Sequence, residues 1–404
     1  MPDRRYWRHF DYLLVVILAL VLTGGVAMVF SAARGDPQIA STPVNQAITA
    51  IVGFVALALV AIMDYQLLGN LSRFLYGLTV AALALVLVVG TENFGARRWF
   101  NLGGFDLQPG EIAKLAMVVV IANFISSRQG KYSYISTIIL SGVMLAPVIL
   151  LILLEPNMST ALTILFVWMI MIFVGGLGSE QMPYVLSAGI VLVVMMVGLS
   201  VLGSGVDVAP AGASAIPTPA ASAANPAATP TPAPGGFSLV QDYQIKRVQQ
   251  LLFGAKTPGE TYQADQALIA LGSGGLFGQG FLQGQQSQLR FLPVRHTDFI
   301  FSVIGEELGL VGCCLFIALI MGIVLRSFRA AWISRDTFGQ LLCTGVGAII
   351  FLQTYINLGM QVQMLPVTGV VLPFVSYGRS NLIALMAALG IVESVVMRHR
   401  RLEF

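Results

Sequence analysis

The sequence predicts an all-α polytopic membrane protein of about ten transmembrane helices, with a large extracytoplasmic loop between the seventh and eighth. Three observations carry that prediction. The chain is 56% hydrophobic and only 10% charged, with a mean hydropathy of +0.83, whereas soluble proteins carry roughly 25% charged residues. Apolar runs of about 18 to 25 residues recur throughout, each long enough at 1.5 Å per residue to cross a hydrocarbon core of about 30 Å. Basic residues gather at the two ends and in one connection between spans.

In chain order the expected spans lie near 11–31, 45–63, 73–90, 110–126, 135–154, 157–176, 184–203, 298–325, 338–360 and 380–397. The first is long enough to span and no clear cleavage site follows it, so no removable signal peptide is expected. An even number of spans puts both termini on one side. Arg4, Arg5 and Arg8 precede the first, Arg398, Arg400 and Arg401 follow the last, and Arg326, Arg329 and Arg335 lie after the eighth. The positive-inside rule therefore places both ends in the cytoplasm. The loops at 91–109, 204–297 and 361–379 then face outward.

A net charge of +3 with no basic, aromatic-interleaved patch argues against nucleic acid as a partner. Cys313, Cys314 and Cys343 sit inside apolar runs and read as small core hydrophobes. The three histidines are scattered, so no metal centre is expected; no cofactor is called for, although a divalent cation is compatible with the chemistry considered below.

The outward segments hold the unusual residues. In FGARRWFNLGGFDLQPGEIAKLAMV, Glu111 and Lys114 fall three apart at the start of a helix and so share a face. Arg97 and Arg98 just before them complete a polar, partly cationic mouth. In LLEPNMSTALTI, Glu155 and Asn157 flank a proline between two spans. Within the long loop, PAGASAIPTPAASAANPAATPTPAPGG marks residues 207–236 as a Pro/Ala-rich linker that cannot bury enough apolar surface to order itself. Residues 237–297 change character, with an amphipathic helix expected over about 239–252 and a Gly/Gln-rich stretch after it. LGSGGLFGQG (271–280) reads as tight turns beside the membrane, or alternatively as a phosphate cradle.

RHTDFIFSVIGEELG places Glu306 and Glu307 about 9 to 10 residues into the eighth span, roughly 15 Å deep. Carboxylates there are costly without partners, and at least one is expected to face a polar cavity open to the outer side. NLGMQVQMLPVTGVVLPFVSYGRSN (357–381) is too Gly/Pro-interrupted for a simple loop. Irregular backbone at that depth must be buried in protein or line a wet cavity, so a re-entrant segment is expected.

Together these motifs resemble the SEDS family (shape, elongation, division and sporulation), the RodA/FtsW/SpoVE-like group. RRWFNLGGFDLQPGEIAKL, EPNMSTAL, IALGSGGLFGQG, QSQLRFLPVRHTDFIFSVIGEELGLVG and LPVTGVVLPFVSYG carry the likeness across nearly every span, and SQLRFLPVRHTDFIF is closer to RodA. The resemblance implies a peptidoglycan glycosyltransferase of the bacterial cytoplasmic membrane. Such an enzyme polymerises lipid II, an undecaprenyl-linked substrate, beside a class B penicillin-binding protein that supplies the transpeptidase. A sugar hydroxyl attacks an anomeric carbon and undecaprenyl diphosphate leaves. That step needs a base near the hydroxyl and positive charge near the diphosphate.

The chain departs from the family at telling places. Where the family carries a catalytic aspartate in the long loop, GAKTPGETYQADQA puts Lys256, with Thr257 at the following proline. A lysine acts as a base only when burial lowers its pKa strongly; Glu260 and Asp265 are the nearest acids. Asn157 stands for an aspartate, Gly110 for a serine and Arg379 for a glycine. The resulting candidate catalytic residues are Glu260, Lys256, Asp298, Glu306 and Glu307. The candidate substrate-binding residues are Arg98, Glu111, Lys114, Asn157, Gln288, Arg295, His296 and Ser376. The alternatives to a polymerase are a non-catalytic scaffold or regulator of a penicillin-binding protein, which Lys256 favours, and a flippase for a lipid-linked precursor.

Overall fold

The computed structural model describes residues 9–93, 96–103, 105–129, 134–155, 157–176, 258–288 and 294–399. The expected span at 184–203, the linker 207–236, the amphipathic helix at 239–252 and Lys256 lie outside the described residues.

Helices dominate. They are α1 (Tyr12–Ala33), α2 (Thr42–Ile62), α3 (Tyr65–Val89), α4 (Pro109–Arg128), α5 (Tyr134–Leu154), α6 (Met158–Val174), α7 (Pro258–Ser273), the short turn α8 (Gln285–Gln288), α9 (Ile300–Ile333), α10 (Thr337–Gln361) and α11 (Arg379–Met397). Among the described residues, eight are long and apolar enough to cross a membrane, and α6 is a shorter apolar helix. The chain is an integral membrane protein with the all-α polytopic fold its composition predicts.

Local chemistry sets the helix starts. Asp11 caps α1 by accepting from the Leu14 amide at 3.2 Å, and Asp64 caps α3 through the Gln66 amide at 3.0 Å; these side chains satisfy donors that a helix start leaves unpaired. The Asp64 cap explains why α3 begins at Tyr65, about two turns before its apolar stretch. Pro43 and Pro109 occupy the first turns of α2 and α4, where a missing N–H costs nothing. α9 likewise runs beyond its apolar run to Ile333.

One feature adds to the helical expectation. Residues 91–107 form an antiparallel meander of β1 (Thr91–Asn93), β2 (Ala96–Leu102) and β3 (Phe105–Leu107), in the order β1-β2-β3. Phe100 pairs with Leu107 and Leu102 with Phe105, and Gly103 supplies the positive φ of +63° that the tight turn requires.

The bundle closes between distant parts of the chain. α2 packs along α11, α1 along α9, and α10 against α9, α4 and α6. Small residues allow the closest approach: a Cβ on Gly390 would lie 2.6 Å from the Leu57 carbonyl, and one on Gly53 would lie 2.8 Å from Met386. Trp168 is fully buried, its indole N–H donating to Ser141 Oγ at 3.0 Å. Cys313 and Cys343 are buried free thiols.

The first and last described residues, His9 and His399, lie at one end of the bundle. His9 and His399 pack edge to face with centroids 4.9 Å apart. Arg326 grips Asp11 there at 2.5 and 2.6 Å, and the Asp11 amide donates to Glu393 at 3.1 Å. Arg398 closes the end of α2 by donating to the Ala61 and Ile62 carbonyls, a favourable place for a cation at a helix C-terminus.

α9 is broken. Gly309 has φ +66° and ψ −166° inside it, and the glycine-rich run after α7 takes up the groups this frees. The Glu306 and Glu307 carbonyls accept from the Gln279 and Gly280 amides at 2.9 and 3.1 Å. In return Leu310 and Val311 donate to the Gly275 and Leu276 carbonyls at 2.9 and 3.1 Å. Residues 274–280, just after α7, are therefore tight turns moulded onto a broken helix, and the Gln279 and Gly280 amides serve α9 rather than a phosphate. The segment after α10 is irregular and buried in the bundle: Gln46 donates to the Val375 carbonyl at 2.9 Å, and Asn357 to the Val370 carbonyl at 2.7 Å. Buried side chains thus satisfy irregular backbone inside the bundle.

Candidate functional site

At the end of the bundle opposite His9 and His399 lies a cavity of about 640 Å³. Its walls come from the meander, from the starts of α4, α6 and α11, from 294–298, from Gln353 on α10 and from 368–371. Three helices therefore present their N-termini to one space, where backbone N–H groups and the helix dipoles favour negative charge.

Each side chain there is positioned by an element start. On α4, Glu111 and Lys114 form an ion pair at 2.7 Å, both largely buried, as their three-residue spacing predicts. On α6, Asn157 is the N-cap, accepting from the Thr160 amide at 3.4 Å. Ser159 donates to the Thr368 carbonyl at 2.7 Å and ties α6 to the segment after α10. On β2, Arg98 donates through Nε to the Glu155 carbonyl at 2.9 Å, fixing the meander over the α5–α6 turn. Ser380 of α11 accepts from the Gln108 amide at 3.1 Å and donates to the Asp106 carbonyl at 2.7 Å. One hydroxyl thereby joins the starts of α4 and α11 to β3.

Of the residues expected from sequence, Arg98, Glu111, Lys114, Asn157 and Asp298 come together in the lining. Glu260 is in the first turn of α7. The other described candidates are elsewhere. Neither Glu306 nor Glu307 lines the cavity, which corrects the expectation that one of them would. The Glu306 carboxylate accepts from the Gln286 and Ser287 amides at 2.6 and 3.0 Å, at the start of α8. Glu307 accepts from the Ser31 hydroxyl and from the Leu282 amide at 3.2 Å. The two deep carboxylates are thus spent on pinning the 282–288 segment and α1 to α9.

Arg295, Gln288, His296 and Ser376 are also anchors by their contacts. Arg295 is buried, donating to the Ala32 carbonyl at 2.6 Å and lying 3.4 Å from Asp36. Gln288 donates to the Ser31 carbonyl at 3.3 Å. Ser376 Oγ accepts from the Leu372 amide at 2.8 Å. The His296 carbonyl receives the Tyr377 amide at 3.0 Å. Burial, reinforced by Arg295, lowers the His296 pKa below its ordinary value, so the ring is neutral at pH 7.

Sequence reasoning set Glu155 only at a polar turn between two spans and passed over Gln353 and Asn381. Glu155 is fully buried with neither carboxylate oxygen hydrogen-bonded, and desolvation, opposed by Arg98, pushes its pKa up to about 8. It lies just behind the wall, since a Cβ on Gly110 would be 3.9 Å from its Oε2. Gln353 and Asn381 line the cavity, nearly inaccessible to solvent, with side-chain atoms that no group satisfies. A glutamine in the apolar run IIFLQTYIN was the available signal for the first. Among the described residues, no three His, Cys, Asp or Glu side chains group to hold a metal ion.

Known proteins share this architecture. The chain is 33% identical to the peptidoglycan glycosyltransferase MrdB of Escherichia coli (strain K12) over 405 residues, covering 99% of this chain and 98% of that one. A chain from a peptidoglycan synthase complex, described for its structural coordination of polymerization and crosslinking, superposes with a TM-score of 0.73 at 29% identity, over 98% and 99% of the two chains. The rod shape determining protein RodA of Thermus thermophilus superposes with a TM-score of 0.65 at 27% identity, over 97% and 98%. Residues 10–401 match the FtsW/RodA/SpoVE cell cycle proteins, and the chain belongs to that family.

Proposed function

We propose that the protein is a peptidoglycan glycosyltransferase that polymerises lipid II at the outer face of the bacterial cytoplasmic membrane. The observation that carries this reading is the cavity: three helix N-termini, Arg98 and the buried Glu111–Lys114 pair converge on a space large enough for a charged head group. The basic chain ends and the basic α9–α10 connection support cytoplasmic termini, and with them a cavity that opens outward. There an acceptor hydroxyl attacks the anomeric carbon of the donor, its proton passes to a carboxylate, and undecaprenyl diphosphate departs toward the helix N-termini and Lys114.

With Lys256 at the family's aspartate position, Asp298 in the lining and Glu260 on α7 are the carboxylates for the base role. Residues 237–297 form the working part of the long loop and 207–236 its spacer. The likeness to a chain of a peptidoglycan synthase complex supports a class B penicillin-binding protein as partner.

Polymerisation of labelled lipid II by the purified protein, with and without that partner, tests the reading. Glycan chains that persist in penicillin, and are lost in Asp298→Asn or Glu260→Gln with lipid II binding retained, are expected. Lipid II binding without chains, even beside the partner, would replace the enzyme by a scaffold, the reading that Lys256 favours.

A further inference from the structure

Resting on that reading, the start of α11 has properties the other two helix starts lack. α6 is capped by its own Asn157, and α4 carries Glu111 in its first turn. α11 has neither: its N-cap is Gly378, no side chain caps it, and no acidic residue sits in its first turn. Its N-terminal charge therefore faces the cavity uncompensated. Arg379, the first helical residue, also lines the cavity. Its Nε donates to the Tyr377 hydroxyl at 2.8 Å and its guanidinium lies 5.8 Å from that ring's centroid, so the cation is held in place before any ligand arrives.

The second and independent observation is Asn381. It is 6% exposed, lines the same cavity, and neither its amide nitrogen nor its amide oxygen has a hydrogen-bond partner. A buried amide without partners costs free energy unless a ligand completes it. Two residues after the uncapped start, it adds a neutral donor beside a fixed cation and backbone amides.

We infer that Gly378, Arg379 and Asn381 form a subsite for the diphosphate of a polyprenyl-linked substrate. The guanidinium presents a planar fork to phosphate oxygens, the α11 amides take a further oxygen, and the Asn381 amide donates to the bridging region or to the adjoining sugar. Arg379 supplies this cation from the first turn of α11. It gives the cavity a diphosphate contact separate from Arg98 and Lys114.

The test is binding of undecaprenyl diphosphate to the full-length protein in nanodiscs, with undecaprenyl monophosphate and inorganic pyrophosphate as competitors. Arg379→Gln is expected to weaken undecaprenyl diphosphate binding by about tenfold or more, the scale of one charge-assisted contact, and to erase the preference over the monophosphate. Arg379→Lys recovers part of the loss, and Asn381→Asp weakens binding by repulsion. Inorganic pyrophosphate competes with the lipid in the wild type, more weakly than the lipid-linked form. Unchanged binding in both Arg379→Gln and Asn381→Asp, or failure of pyrophosphate to compete at saturation, overturns the subsite. Free pyrophosphate binding as tightly as the lipid overturns its assignment to a lipid substrate. Thermal unfolding identifies any variant that does not fold, in which case Arg379→Lys and Asn381→Asp carry the comparison. Lipid II polymerisation by the wild type, run in parallel, separates the two readings. No chains with Arg379-dependent binding removes the glycosyltransferase and keeps the subsite; chains with Arg379-independent binding does the reverse.

Discussion

Ser31 on α1 donates its hydroxyl to the Glu307 carboxylate on α9, a hydrogen bond between residues 276 apart in the chain. The same carboxylate holds the Leu282 amide. Glu307→Ala strands both donors in a buried setting, and each unsatisfied group costs about 1 to 3 kcal/mol. Thermal unfolding in detergent should show a loss of roughly 2 to 4 kcal/mol, with a smaller loss for Glu307→Gln, which keeps one acceptor oxygen. An unshifted midpoint for the alanine variant would mean that the bond contributes nothing.

The glycines facing the α9 break supply a second check. Gly278 has φ +81°, and a Cβ there would collide with the Glu307 backbone. Gly272, within α7, has open space around its missing Cβ. Gly278→Ala should lower the unfolding midpoint sharply and increase proteolysis between 271 and 288. Gly272→Ala should be neutral or slightly stabilising. Equal effects from the two would contradict the moulded-turn description.

Glu111 and Lys114 act as a unit. Removing either leaves a buried charge, which is more damaging than removing both. Lys114→Gln should reduce polymerisation by roughly a hundredfold or more if the ammonium faces the departing diphosphate. Glu111→Gln should harm stability more than the double variant does. Additive losses in unfolding free energy would show that the two are not coupled.

Glu155 makes stability depend on pH. In the folded protein its carboxyl keeps its proton up to about pH 8, against an ordinary value of 4.5. Between those values the folded state holds a proton that the unfolded state has released, so the wild type loses stability as pH rises. Glu155→Gln removes that dependence. The difference between the unfolding midpoints of wild type and variant should therefore move against the wild type from about pH 5 to about pH 8 and level off above it. A difference that stays constant across that range would assign Glu155 an unshifted pKa.

What was legible in the sequence follows from where its signals are local. The spans show as apolar runs, and Glu111–Lys114 shows as a three-residue spacing at a helix start. The 357–381 segment shows as glycines and prolines where a membrane chain should be helical. Glu306 and Glu307 were misplaced because three of their partners are backbone amides of a segment about twenty residues upstream, which has no periodicity to mark its path, and the fourth is the Ser31 hydroxyl on α1. Depth in the membrane signals that a carboxylate must be satisfied, but not whether a cavity or a loop does so. The β-meander escaped notice behind the Arg-Arg pair, and α7 behind the glycines that follow it. Asn381 looked ordinary because an orphaned amide is a property of its surroundings.

The packing of α1 on α9 and of α2 on α11 has a consequence for biogenesis. Helices α1 and α2 carry Asp11, Ser31 and Gln46, whose partners are Arg326, Glu307 and the Val375 carbonyl far later in the chain. None of these has been synthesised when α1 and α2 enter the bilayer. Membrane insertion and folding are therefore separated in time, with the early helices waiting among lipids for most of translation. A chain truncated before residue 300 would leave α1 with α2 but without α9 to close against, a natural target for membrane quality control.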